Sequence, residues 1–143
     1  MNRLRKLDLA GAENLKSLGC QDNWLTGLDA STLKKLTVLN CSKNQLRSLK
    51  VGGLERLERL RCSFNRLTEL DVSGLSALTM FTCAVNGLSE LDVGGLTSLQ
   101  ELDCRANRLT KLDTGGLTML KKLEDSGNDF ADQTADSPVE ERL

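Results

Sequence analysis

Five cysteines, Cys20, Cys41, Cys62, Cys83 and Cys104, recur every 21 residues in a chain that has no histidine. Thiols offer three chemistries: disulfide formation, soft-metal ligation and thiolate nucleophilicity. A zinc motif sets paired cysteines about two to four residues apart and converges their sulfurs on one point. A uniform stride of 21 instead predicts a stacked row of thiols pointing the same way. Neighbours in such a row, about 4.8 Å apart with parallel Cβ vectors, lie beyond the Cβ spacing of a relaxed disulfide. Without histidine, the commonest general base and metal ligand is missing as well. The five thiols therefore read as core residues, since free cysteine behaves as a small buried hydrophobe.

Two polar rows share the stride. Asp29, Asp71, Asp92 and Asp113 form one, with Lys50 standing in its second place. Calcium needs roughly six to eight oxygens wrapped around one ion, which one carboxylate per turn along a rod does not supply. The aspartates are expected to be solvated, or to accept hydrogen bonds from nearby turn N–H groups. Asn23, Asn44, Asn65, Asn86 and Asn107 form the other row, continued by Asn2 and Asn128. An amide carries donors and an acceptor, so it suits a place where the chain leaves a strand and its backbone groups lose their partners. An internal asparagine ladder is expected rather than a row of ligand-binding amides. No nucleophile–base pair, phosphate loop, cofactor motif or metal constellation emerges, and the expectation is a protein that is not an enzyme.

The elements that must position these rows follow from the remaining columns. The unit reads L-x-x-L-x-C-x-x-N-x-L-T-x-L-D-V-x-G-L-x-x, opened by Leu15, Leu36, Leu57, Leu78, Leu99 and Leu120. In Val38-Leu39-Asn40-Cys41-Ser42 alternate residues are apolar, which predicts a short strand with Leu39 and Cys41 facing inward. Stacking one such strand per unit gives a parallel sheet. Leu70-Asp71-Val72 and Leu91-Asp92-Val93 alternate too and predict a second short strand on the opposite side. Gly94-Gly95-Leu96 and its equivalents then predict a tight or 3-10 turn, with no room for a full α-helix. The expected fold class is a mainly β repeat solenoid over residues 1–130, about six units with the first incomplete, followed by a frayed or disordered tail over 131–143. Asp125 breaks the cysteine column, where a core carboxylate is costly, and is expected to mark the solenoid's end.

The first eleven positions of the unit resemble the leucine-rich-repeat segment L-x-x-L-x-L-x-x-N-x-L, with cysteine in the sixth place. The 21-residue length and the second half, as in Leu67-Thr68-Glu69-Leu70-Asp71-Val72, resemble the nested repeats of bacterial leucine-rich-repeat proteins. The resemblance implies a curved solenoid with its parallel sheet on the concave side. It also implies a non-catalytic module that binds a protein partner, as part of a bacterial surface or secreted protein. The alternative it leaves open is a structural or targeting segment of a larger bacterial enzyme or effector.

Function must then lie in the columns that packing leaves free. The 19 basic and 20 acidic residues are interspersed, giving a net charge of −1 and no reason to expect nucleic acid. No apolar run is long enough for membrane insertion. Among the outward positions, Arg59, Arg61, Phe64, Met80, Thr82 and Val85 cluster in mid-chain and combine apolar groups with guanidiniums, the composition that interface cores favour. They are the candidate partner site, with Trp24, the sole tryptophan, as a second anchor. The competing reading is that they are scattered exposed apolar residues of no consequence. The segment Met1 to Lys6 lacks the apolar stretch and cleavage site of a signal peptide. Unpaired thiols lean towards a reducing cytoplasm, whereas the resemblance points to a bacterial surface. The pattern opens mid-unit at Asn2 without a cap, so either the chain is a fragment of a longer protein or its ends self-associate.

Overall fold

The computed structural model describes residues 2–131, and the tail expected from position 131 onwards lies, except for Ala131, outside them. The chain winds as a coil of short strands and turns, one circuit per repeat. Its strands are β1 (Ser17–Gly19), β2 (Gly27–Asp29), β3 (Val38–Asn40), β4 (Ser48–Lys50), β5 (Arg59–Arg61), β6 (Met80–Thr82), β7 (Glu101–Asp103) and β8 (Lys122–Glu124). Six of them form one parallel sheet in the order β1-β3-β5-β6-β7-β8. Register never slips: Leu18 lies beside Leu39, Leu39 beside Leu60, Leu60 beside Phe81, Phe81 beside Leu102 and Leu102 beside Leu123. The central residue of each strand faces the core and its two neighbours face out, as two-residue alternation requires.

Leucines from every side of the circuit fill the interior. Leu36, Leu39, Leu46, Leu54, Leu57, Leu60, Leu67, Leu75, Leu78 and Phe81 are completely buried, and the five cysteines complete the same layer as free thiols. Each circuit returns to its strand through two successive turns, with Leu54 N–H donating to the Val51 carbonyl (3.3 Å) and Leu57 N–H to Leu54 (3.0 Å). The described residues contain no helix.

The opposite side departs from the expected pattern. Among the described residues only β2 and β4 pair there, through Gly27–Ser48, Leu28–Leu49 and Asp29–Lys50. At Leu70-Asp71-Val72 and Leu91-Asp92-Val93 burial still alternates, but no strand forms. Alternation records which side chains reach the core. It does not require adjacent circuits to approach to ladder distance, so inward facing carries no signal for pairing. Asp125 takes the cysteine column's place in the last described circuit, where it is buried; there β8 pairs with β7, and Asn128 donates to the Cys104 carbonyl at 3.0 Å.

Two glycines on the opposite side are required by the backbone. Gly53 and Gly74 adopt φ of +80° and +77°, and a Cβ on Gly74 would come within 3.1 Å of the Gly53 Cα. The left-handed conformation disfavours a side chain at both, and the close stacking adds to this at Gly74.

Candidate functional site

The asparagine row sits where each strand ends. Asn65 Nδ2 donates to the Cys62 and Cys41 carbonyls (3.1 Å each), and its Oδ1 accepts from Leu46 N–H at 2.9 Å. Asn44, Asn86, Asn107 and Asn128 repeat this arrangement. At Asn23 the amide donates to Cys20 and Gln21, and its oxygen accepts from Leu4 N–H. Each amide joins one circuit to the preceding one, and both of its ends are used by backbone. The aspartate row is occupied in a similar way: Asp29, Asp71, Asp92 and Asp113 accept from the N–H two residues on, at Ser31, Ser73, Gly94 and Gly115 (2.9–3.0 Å). These are local turns closed by a side-chain oxygen. The Ser31 hydroxyl adds a 2.6 Å bond to Asp29, and hydrogen bonds from Ser31 and Ser73 hold the Asp29 and Asp71 carboxyls below their ordinary range.

Burial keeps the thiols protonated. Loss of solvation pushes Cys20 up to about 11 and Cys62 to about 12, and lifts Cys41 and Cys83 well above the ordinary value, with neighbouring thiols in the row adding to the effect. A thiol that does not ionise is neither a good nucleophile nor a metal ligand.

The free surface of the six-stranded sheet carries the remaining chemistry. Arg59 and Arg61 alternate with buried Leu60 on β5, so both guanidiniums rise from the same face. Met80 and Thr82 stand beside them on β6, and Arg61 Nη2 lies 3.6 Å from the Met80 sulfur. Further along, Arg105 binds Asp103 (2.9 Å) and Glu124 (3.0 Å), and Lys122 binds Glu124 (3.3 Å). The Asp103 contacts raise the Arg105 pKa further above its already high value. The sheet face is therefore polarised. Its β7–β8 end is an internally neutralised network, while Arg59 and Arg61 form no ion pair among the described residues. A shallow cleft lined by Arg61, Met80, Thr82, Glu101, Asp103 and Glu124 joins the two regions.

The other residues singled out from the sequence lie elsewhere. Phe64 and Val85 are not on the strands. They occupy the turn residue immediately before the asparagine, where φ is 58° and 56°. Asp22, Lys43, Ala106 and Gly127 hold the same place and conformation in their own units. In five of the six circuits the N–H of this residue also bonds a carbonyl of the next circuit, Phe64 to Ala84 and Val85 to Arg105 (2.9 Å each), while Gly127 holds the same conformation at the last described circuit. Left-handed backbone costs a residue with a Cβ about 1–2 kcal/mol, and a β-branched one tolerates it worst. Trp24 occupies a third place. The Arg3 and Arg5 guanidinium carbons lie 5.6 and 5.5 Å from its ring centre, close enough for cation–π attraction of about 0.5–1 kcal/mol each. The mid-chain cluster thus divides into a sheet-face quartet and a turn pair, and Trp24, the second anchor, stands apart against Arg3 and Arg5.

Sequence reasoning passed over the Arg105–Asp103–Glu124 network and the left-handed column. The network had a signal in the opposite charges at matched positions of consecutive units. The column had only Gly127 to mark it.

The chain's residues 13–54 match the family described as Leucine Rich repeats (2 copies). No curated protein matches the sequence. Among solved structures, a leucine-rich-repeat protein of Leptospira interrogans is similar at 29% identity and a TM-score of 0.85, over 91% of this chain and 36% of that one. The functional domain of InlJ from Listeria monocytogenes, described as including a cysteine ladder, is similar at 27% identity and a TM-score of 0.63, over 90% of this chain and 43% of that one. An internalin of Listeria monocytogenes is similar at 25% identity and a TM-score of 0.60, over 90% and 47%. The chain spans less than half the length of each of these structures. The repeat frame, the six-stranded parallel sheet and these likenesses together make the chain a leucine-rich-repeat protein.

Proposed function

We propose that this chain is a non-catalytic protein-binding module of a bacterial surface or secreted protein, and that it takes its partner on the free face of the six-stranded sheet. Leucine-rich repeats are protein-interaction modules, and the similar structures come from Listeria and Leptospira. The observation that carries the reading is the quartet Arg59, Arg61, Met80 and Thr82. It places two exposed guanidiniums without ion pairs among the described residues beside a half-buried thioether, on a rigid backbone. Arginine beside apolar surface is the composition of energetic centres in interfaces. The guanidiniums also select for a partner that brings a carboxylate to β5.

The test uses the immobilised chain as bait, with retained proteins identified by mass spectrometry. The triple variant Arg59→Ala, Arg61→Ala, Met80→Ala changes only outward side chains, so its unfolding free energy in urea is expected to stay within about 0.5 kcal/mol of the parent's. Retention of the partner is expected to be lost. Undiminished retention by a folded triple variant rules out this face.

A further inference from the structure

The turn column that holds Phe64 and Val85 forms a rim along the edge of the sheet. One residue per circuit, from Asp22 to Gly127, is left-handed there, and from Asp22 to Ala106 its N–H is tied to a carbonyl of the next circuit. Glycine meets this demand freely, and Asp meets it with its polar side chain. Phenylalanine and valine meet it badly, yet they stand in adjacent circuits and are 52% and 39% exposed. Large apolar groups held in unfavourable backbone and turned to solvent gain nothing from the core. Their coincidence is the mark of a site rather than of packing.

The charges around the pair are one-sided. In the four central rim quartets, 42–45, 63–66, 84–87 and 105–108, stand Lys43, Arg66, Arg105 and Arg108 with no carboxylate, while Asp22 and Asp129 stand in the two outer ones. Arg105 is engaged by Asp103 and Glu124, whereas Lys43, Arg66 and Arg108 are exposed and form no ion pair among the described residues. An apolar ridge flanked by free cations complements a ligand that is apolar at one residue and acidic at its neighbours. Successive circuits repeat at about the 4.8 Å spacing of a parallel sheet, so a ligand following the rim must be extended.

We propose that this rim binds an extended acidic segment of a partner protein, with an aromatic or aliphatic residue seated against Phe64 and Val85 and carboxylates meeting Lys43, Arg66 and Arg108. The surface lies off the strands and shares no residue with the Arg59–Met80 quartet, so the two surfaces can fail separately.

The experiment displays a random peptide library against the full chain and measures binding of the selected peptides by fluorescence polarisation. Selected peptides are expected to be rich in Asp and Glu around one large apolar residue. Affinity is expected to fall by about tenfold or more in Lys43→Glu with Arg66→Glu, and separately in Phe64→Ser, and to be unchanged in Arg59→Ala with Met80→Ala. Urea denaturation verifies that each variant is folded, and Val85→Gly supplies a rim variant whose backbone is relieved rather than strained. Selection of no peptides, or of peptides without acidic enrichment, overturns the proposal. So does loss of binding only in the Arg59 and Met80 variant, which would move the ligand to the sheet face. Heparin fragments that bind the rim more tightly than any selected peptide would overturn it in favour of an anionic glycan.

Discussion

Alkali is expected to unfold this protein through its thiol row. In the folded chain burial holds Cys20 at about 11 and Cys62 at about 12, and keeps Cys41 and Cys83 well above their ordinary value. Unfolding returns all four to water, where a cysteine ionises near about 8.5. Above that pH the unfolded chain releases protons that the native chain retains. The unfolded state therefore binds fewer protons, and stability falls as pH rises. The contribution is fully present below the unfolded value and is lost across the window up to the native ones. Each thiol removes roughly 1 kcal/mol per pH unit in that window, and four acting together remove roughly 4–6 kcal/mol per unit, comparable with the whole stability of an ordinary domain of about 5–15 kcal/mol. Urea titrations under reducing, oxygen-free conditions at about pH 7, 8, 9 and 10, followed by Trp24 fluorescence and far-ultraviolet circular dichroism, measure the loss. The variant Cys62→Ala with Cys83→Ala starts less stable because it leaves cavities, but its decline with pH is expected to be about half as steep. Lysine deprotonation affects both proteins alike, so the difference in slope isolates the thiols. Equal slopes in the two proteins refute the argument.

Asn65→Ala is expected to cost about 2–4 kcal/mol in urea denaturation, because the Cys41 and Cys62 carbonyls and the Leu46 N–H all lose their partner at once. Gly74→Ala is expected to cost more than about 1 kcal/mol, from positive φ and the 3.1 Å approach to Gly53, whereas Gly95→Ala, with open space at its Cβ, is expected to be neutral in the same assay. Val85→Gly is expected to raise the unfolding free energy measured in urea by about 1 kcal/mol of relieved backbone, net of its lost contacts, while weakening peptide binding at the rim. Ser31→Ala is expected to bring the Asp29 carboxyl back towards its ordinary range in an NMR titration. The small stabilisation Asp29 gives is present above the unfolded carboxylate pKa and lost as pH falls through the lower native one, so the variant is expected to be less sensitive to acid.

The sequence made the framework legible because every framework residue answers to one local demand repeated in each unit. A leucine every 21 residues, with a cysteine five places later and an asparagine three beyond that, states both the stride of the coil and which residues face inward. The sheet order and its unbroken register follow from that stride. What the sequence conveyed poorly was anything set by spacing between circuits. The alternation at Leu91-Asp92-Val93 gives the inward residues but not whether a neighbouring circuit comes close enough to pair. Surface grouping was harder still, since Phe64 and Val85 are only three residues beyond the outward-facing Arg61 and Thr82 of their own units, yet stand in the turn after the strand rather than on it. Their left-handed backbone is tied to carbonyls of the next circuit, and side-chain type does not announce it.

The reach of the asparagine amides has a consequence for how damage spreads. Each amide bonds its own circuit and the one before it, and none reaches two circuits away. The molecule is thus coupled like a one-dimensional chain of spins, in which order passes only between adjacent members. A lesion in the middle circuit does not weaken the whole evenly; it splits the solenoid into two shorter ordered blocks separated by a boundary. Amide protons on either side of that boundary would exchange as two independent populations, each fraying from its own ends.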